Sequence, residues 1–197
     1  MQASSLEANK LPKSTTLLPE SRVEVVPRIA DIAAAAWDRC ANPDPAVFNP
    51  FLAHAFLAAL EAAGTVGGRT GWTPRHLVLK DANDEIAGCA PCYLKSHSQG
   101  EYVFDHNWAD AYTHAGGSYY PKLQIAVPFT PVPGRRLLVP PGPEDAGREA
   151  ALAAAAAALV ERNGLSGAHI TFLTEGEWTR LGQRGFLLMA EQHDARR

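Results

Sequence analysis

The stretch that decides the fold runs from Arg136 to Leu173, RLLVPPGPEDAGREAALAAAAAALVERNGLSGAHITFL. Its first four residues predict a short β-strand. Residues 144–163 predict a long helix, because acidic residues occupy the first turn and Gly164 follows the last one. A second strand is expected at 169–173. Together these elements form a β-α-β unit, which is typical of a sheet that carries helices on its faces.

The residues on either side of this unit extend the pattern. Apolar residues recur with helical spacing from Ile29 to Cys40, and Asn49-Pro50 is a favourable start for a second helix that ends at Gly64. Strands are expected at 23–26, 76–80, 85–94, 101–105 and 186–189, and a short helix at 177–183. We therefore predict a mixed α/β sheet in a single domain over residues 21–190, between flexible tails at 1–20 and 191–197.

Composition excludes several classes of protein. The 197 residues include 18 Lys and Arg against 21 Asp and Glu, so the basic excess of a general nucleic-acid binder is missing. The longest apolar run, 150–160, is shorter than the roughly 20 residues that span a bilayer. Three cysteines argue against a disulfide framework. With no stretch typical of a signal peptide, we expect a cytoplasmic location.

Candidate chemistry concentrates between Tyr93 and Phe129, which hold 8 of the 16 aromatic residues and three of the seven histidines. Aromatic walls around a few polar groups suit a ligand pocket, but the same residues could form the core of an alanine-rich domain. His106, Asp110 and His114 would share one helical face, either as metal ligands or as ordinary surface residues. Cys89 and Cys92 lie in a predicted strand, which favours two buried residues over a redox motif.

A proline-rich segment, Pro128-Phe-Thr-Pro-Val-Pro-Gly-Arg-Arg136, ends in two adjacent arginines. Its three prolines cannot donate ladder hydrogen bonds, so the segment is expected to leave a gap at a sheet edge. Arg135 and Arg136 would meet a phosphate or carboxylate there, or form a solvated pair.

Several motifs resemble those of the FemAB-like predicted N-acyltransferases, a family of peptidoglycan biosynthesis or recognition proteins with the GNAT acyltransferase fold. The resemblance covers roughly residues 20–190. It rests on NPFLAHAFLAALE (49–61), GWTPRHL (71–77), YLKSHSQGEYVFD (93–105), WADAY (108–112) and GGSYYPKLQIAVPFTPVPGRR (116–136).

The resemblance implies a GNAT-like fold, in which the strand after Arg136 and the strand at 169–173 splay apart to admit an acyl donor. It also implies transfer of an acyl or aminoacyl group to a small-molecule or peptide amine, with acyl-CoA or aminoacyl-tRNA as donor. The segment from Val139 to Gly147 does not match the GNAT loop that binds the pyrophosphate of CoA, because prolines remove amide donors and two acidic residues oppose an anion.

Acyl transfer to an amine needs a base and donors for an oxyanion. We expect Asp105 or Asp110 to be the base or amine anchor, and His97 to be the reserve base. Tyr120 is a further catalytic candidate. The expected substrate contacts are Lys95, Tyr102, Trp108, Tyr119, Lys122, Phe129, Arg135 and Arg136.

A competing hypothesis follows from size, because members of this family usually carry two GNAT-like halves and this chain corresponds to the first. Under this hypothesis the chain is a non-catalytic module that binds a peptide, a precursor or a partner subunit through its aromatic face. Such a module would self-associate as a homodimer or require the second half, because an uncovered apolar face favours association.

Overall fold

The computed structural model describes residues 21–103 and 105–189, apart from the side chains of His106 and Asn107. Both predicted tails, 1–20 and 191–197, lie outside the described residues. The strands are β1 (Arg22–Val26), β2 (Trp72–Pro74), β3 (His76–Lys80), β4 (Ile86–Ala90), β5 (Cys92–Lys95), β6 (Lys122–Ile125) and β7 (Ala168–Ile170). The α-helices are α1 (Ala34–Ala41), α2 (His54–Ala62), α3 (His106–His114), α4 (Asp145–Asn163) and α5 (Glu175–Gln183).

The strands form two sheets rather than the single sheet that was predicted. One sheet has the order β1-β3-β4 and the other the order β2-β5-β6-β7. All pairings are antiparallel except that of β6 with β7. The predicted strand at 85–94 divides at Pro91, which lacks an amide hydrogen, and continues from β4 in one sheet to β5 in the other. The mixed α/β class is confirmed.

Several predicted elements are wrong in extent. Residue 138 makes one isolated bridge to Cys89, so 136–139 is not a full strand, because prolines at 133, 140 and 141 limit ladder pairing around it. Neither 186–189 nor the described part of 101–105 is a strand, and Asp105 instead precedes α3. The helix predicted from Ile29 is interrupted, since Ile32 adopts an extended conformation between a 3-10 turn and α1.

The predicted long helix is confirmed as α4, and Gly164 ends it in the left-handed conformation. Leu152, Ala153 and Ala156 of this helix are buried against apolar side chains from both sheets. Gly88 on β4 allows this helix a close approach, because a Cβ at that position would lie 3.3 Å from Leu152 Cδ1. Within residues 21–103 and 105–189, no helix has the length and apolar character needed to cross a membrane.

Alternation along β5 and β6 separates two faces of the second sheet. Cys92, Leu123 and Ile125 belong to the apolar core that α4 covers. Because neighbouring residues of a strand point to opposite faces, Lys95 and Lys122 lie on the other face. Every residue of β6 is nonetheless buried. The polar face of this sheet is therefore covered by protein, and it forms the candidate site.

Candidate active site

Two buried lysines lie side by side at one end of the second sheet. The register pairs Trp72 with Lys95 and Lys95 with Lys122, so the three residues form one row across β2, β5 and β6. The Lys95 ammonium lies 3.8 Å from the centre of the Trp72 ring. Like charges directly opposite each other destabilise a sheet, and burial adds a desolvation cost. This row therefore requires anionic partners.

Glu101 and Asp105, from the segment that follows β5, supply those partners. The Lys122 ammonium donates to Glu101 Oε2 at 2.8 Å and to Asp105 Oδ2 at 2.5 Å. Glu101 Oε1 lies 3.9 Å from the Lys95 ammonium, which also donates to the Gln99 carbonyl at 3.0 Å. All four charged side chains are buried. The result is a compact cluster of two cations and two anions.

One carboxylate oxygen of Asp105 accepts hydrogen bonds, and the other does not. Its Oδ2 accepts from Lys122 and from the Tyr119 hydroxyl, the latter at 2.8 Å. Asp105 stands at the N-cap of α3, yet its side chain makes no capping hydrogen bond there. Its buried Oδ1 has no hydrogen-bond partner within the described ranges, and neither have Glu101 Oε1 and Gln124 Oε1. Buried acceptors are normally paired, so this layer has unused capacity to bind a donor.

The environment sets the protonation of each group. Burial lowers the pKa of Lys95 to about 8 and raises the pKa of Glu101. Burial also pushes the pKa of Asp105 upward, but the ammonium of Lys122 and the Tyr119 hydroxyl outweigh it, and the pKa of Asp105 is lowered. The pKa of Tyr119 is raised by burial and by the carboxylate it faces. Asp105 is therefore an anion at neutral pH, and Tyr119 is a protonated phenol.

His169 belongs to the same layer, although the sequence did not single it out. It pairs with Gln124 across β6 and β7, and its ring lies 5.7 Å from the Tyr119 ring between centroids. Burial, together with the positive charge of Lys122, lowers the pKa of His169 to about 4. The imidazole is therefore uncharged at physiological pH. The sequence also did not indicate three further residues of this site, Trp72, Glu101 and Gln124. Gln124 could have been found, because polar Lys122 and Gln124 alternate with apolar Leu123 and Ile125 along one strand.

Two of the predicted aromatic residues, Tyr120 and Phe129, pack against rings that contact this cluster. The Tyr120 ring lies 5.0 Å from the Tyr119 ring, and burial raises the pKa of its hydroxyl. The Phe129 ring lies 5.7 Å from that of Trp72, and its amide donates to the Gly100 carbonyl. Tyr102 and Trp108 are exposed. Tyr102 and Phe129 both have a positive φ, near 56° and 58°, which is rare for bulky residues and common at ligand-binding sites.

Two of the predicted bases stand apart from the cluster. Asp110 is exposed on α3, where its carbonyl accepts a hydrogen bond from the His114 ring. His97 lies over Gly71 and accepts from the amide of Gln99. Neither side chain contacts Lys122 or Asp105 through a hydrogen bond or ion pair in the described part of the chain. Among the three proposed bases, only Asp105 joins the cluster.

The predicted role of the arginine pair in substrate binding is not supported. Arg135 donates to the carbonyls of Cys40, Ala41 and Val139. Arg136 is buried, and its guanidinium donates to the carbonyls of Thr171 and Val132. Main-chain oxygens therefore take up both guanidinium groups, and their role here is structural.

The structure also describes the residues of the two alternative constellations, apart from the His106 side chain. Residues 106–114 are helical as the spacing required, and His114 is exposed. Over the described residues, no three His, Cys, Asp or Glu side chains converge on a metal-sized site. Cys89 and Cys92 are free, buried and on different strands, and burial raises the pKa of both thiols. These cysteines are core residues.

The strand gap that would admit acyl-CoA is closed by the protein's own groups. Glu177 Oε1 accepts from the amides of Arg136 and Leu137 at 2.8 and 2.9 Å. The Gly134 amide donates to the carbonyl of Phe172 across the same gap. At the N-terminus of α4, Asp145 Oδ1 accepts from the Ala146 amide, which places a carboxylate where a pyrophosphate would bind. The residues present do not fit a CoA donor at this position.

Comparisons with known proteins give a family and a distant structural likeness. A profile of the FemAB-like proteins, described as peptidoglycan biosynthesis/recognition, matches residues 28–194. A search of curated proteins found no match. An acetyltransferase from Trypanosoma brucei is similar among solved structures, with a TM-score of 0.48 and 15% sequence identity. That similarity covers 88% of this chain and 96% of the other.

Proposed function

Because the chain belongs to the FemAB-like family of peptidoglycan biosynthesis and recognition proteins, we propose that it transfers an acyl or aminoacyl group to an amine of a cell-wall precursor. The single observation that carries this proposal is the Asp105 carboxylate. One of its oxygens is fixed by Lys122 and Tyr119, and the other is buried without a partner. Such an oxygen is suited to accept a hydrogen bond from the N–H of an incoming amine.

Charge supports the same assignment. Asp105 stays anionic because Lys122 lowers its pKa, so it attracts an amine nitrogen that becomes positive as it attacks. Lys122, directly beside it, carries the positive charge that stabilises the oxyanion of a tetrahedral intermediate. The Tyr119 hydroxyl already donates a hydrogen bond to Asp105, and its role is to position that carboxylate.

The reaction balances without a covalent enzyme intermediate. The amine nitrogen forms a bond to the carbonyl carbon of the donor, and the bond from that carbon to its oxygen or sulfur breaks. The proton released by nitrogen goes to the departing oxygen or sulfur. Asp105 orients this proton without retaining it, since a carboxylate with a lowered pKa is a weak base.

The experiment that tests this function supplies both donors to the full chain. Purified protein is incubated with a muramyl-peptide precursor that has a free side-chain amine, together with either an aminoacyl-tRNA or an acyl-CoA. Mass spectrometry of the precursor then detects the added group. We expect an amide-linked product with at least one donor. A well-folded sample that modifies the precursor with neither donor would contradict the proposal.

A second candidate function is a binding module without catalysis. It is favoured by one observation, the burial of both lysines, Glu101 and Asp105, because charged groups that are almost fully removed from solvent are typical of a structural ion-pair cluster. The same assay separates the two candidates, since a module would bind the precursor and leave its mass unchanged.

A further inference from the structure

Helix α3 presents two large aromatic side chains to solvent. Trp108 is 61% exposed and Tyr112 is 43% exposed. The two residues are four positions apart, so they lie next to each other on one face of the helix. Exposed apolar side chains that are adjacent, rather than scattered, indicate a binding surface.

This aromatic face leads directly to the Asp105 cluster. The Tyr112 ring lies 6.1 Å from the Tyr119 ring, and the Tyr119 hydroxyl donates to Asp105. Gly117 leaves room for the Tyr112 ring, since a Cβ at that position would lie 2.3 Å from Tyr112 Cε1. Ring contacts therefore connect the exposed face to the buried charges, and a ligand on this face would be close to the candidate active site.

The charged residues in the segment that carries this face indicate whether it would bind a polyanion or an uncharged ligand. No Lys or Arg occurs between Lys95 and Lys122, and the described acidic residue that is exposed on α3 is Asp110. A polyanion such as tRNA or an anionic membrane surface requires several cations, which this segment does not provide. The face is suited to an uncharged ligand.

The chemistry of the two rings favours a sugar. Indole and phenol rings carry a negative face, which attracts C–H groups that bear a partial positive charge. One side of a hexosamine ring presents a flat set of such C–H groups.

We propose that the face of α3 formed by Trp108 and Tyr112 binds the glycan strand of peptidoglycan by stacking on its N-acetylated hexosamine rings. This inference goes beyond the proposed transfer reaction, because stacking on a glycan needs no catalysis. The glycan would bind to this face, next to the Asp105 cluster that would act on the peptide part of peptidoglycan.

The test measures binding of the full chain to two probes. The first is purified peptidoglycan sacculi in a co-sedimentation assay, and the second is N-acetylglucosamine tetramer in calorimetry. We expect Trp108→Ala and Tyr112→Ala each to weaken binding about tenfold, a stacking loss of about 1.4 kcal/mol. Trp108→Phe keeps a flat ring and should retain most of the affinity.

A matched control is Trp178→Ala on α5, where Trp178 is also partly exposed. This variant should bind both probes as the wild type does. The inference is overturned if the wild type binds neither probe, if Trp108→Ala binds unchanged, or if free stem peptide without sugar competes as well as the tetramer. Asp105→Asn should keep glycan binding, so that loss of transfer and loss of glycan binding are told apart.

Discussion

Lys95 and Lys122 are direct partners across antiparallel strands, and the Glu101 carboxylate lies between their two ammonium groups. Two buried cations in adjacent positions repel each other unless an anion is placed within a few ångströms. Glu101 meets this requirement with one oxygen toward each lysine. The segment that follows β5 is therefore held over the sheet by charge, and this arrangement fixes the position of Asp105.

The first prediction concerns this central carboxylate. Glu101→Gln removes the negative charge and leaves two buried lysines with only Asp105, so the free energy of unfolding should fall by about 3 to 5 kcal/mol. Urea denaturation followed by circular dichroism measures the change.

The control for this variant is Glu144→Gln, because Glu144 forms an exposed ion pair with Arg148. Exposed pairs contribute about 0 to 1 kcal/mol, so Glu144→Gln should be nearly neutral. Equal losses for the two variants would mean that the buried cluster is not held by charge.

The second prediction concerns the ionisation of His169. Its pKa of about 4 lies below the ordinary value of 6.5, so the unfolded chain binds more protons than the folded chain between these pH values. Stability should therefore fall as the pH drops from 6.5 to 4, by up to about 3 kcal/mol from this residue. His169→Gln should lose correspondingly less stability over the same range.

An NMR titration of the His169 ring measures the midpoint directly. We expect it near pH 4. A His169 midpoint near 6.5 would show that the imidazole is not packed beside Lys122 and shielded from water.

The third prediction concerns the closed strand gap. Because Glu177 occupies the amides of Arg136 and Leu137, CoA should neither bind in equilibrium dialysis nor raise the melting temperature of the wild type. Glu177→Ala leaves two buried amides unpaired and should cost about 2 to 4 kcal/mol of stability. Tight CoA binding by the wild type would contradict the account of this gap.

The sequence indicated part of the site and part of the fold. Lys95, Asp105, Tyr119 and Lys122 were expected as site residues on motif and residue type, and they do lie together. His169 could not be placed with them, because its proximity depends on parallel pairing of β6 with β7, which no local pattern specifies. Long-range pairing of this kind is set by tertiary packing.

The arginine pair shows a different limit of sequence-based prediction. Adjacent arginines beside prolines are compatible with an anion site, but the same prolines leave nearby main-chain carbonyls without strand partners. Arg135 and Arg136 satisfy such carbonyls. Which partner an arginine meets depends on the path of the loop. That path is fixed by elements as distant as α1 and α5.

The central claim is that Asp105 holds the reacting amine, and one comparison tests it most directly. Asp105→Asn and Asp110→Asn make the same chemical change at two positions five residues apart, one in the cluster and one exposed on α3. Both proteins are assayed for transfer to the muramyl-peptide precursor, with circular dichroism to verify folding.

We predict that Asp105→Asn lowers the transfer rate about a hundredfold or more, as for loss of a charged catalytic contact, while Asp110→Asn stays within about twofold of the wild type. A folded Asp105→Asn protein that transfers the group at the wild-type rate would contradict the account.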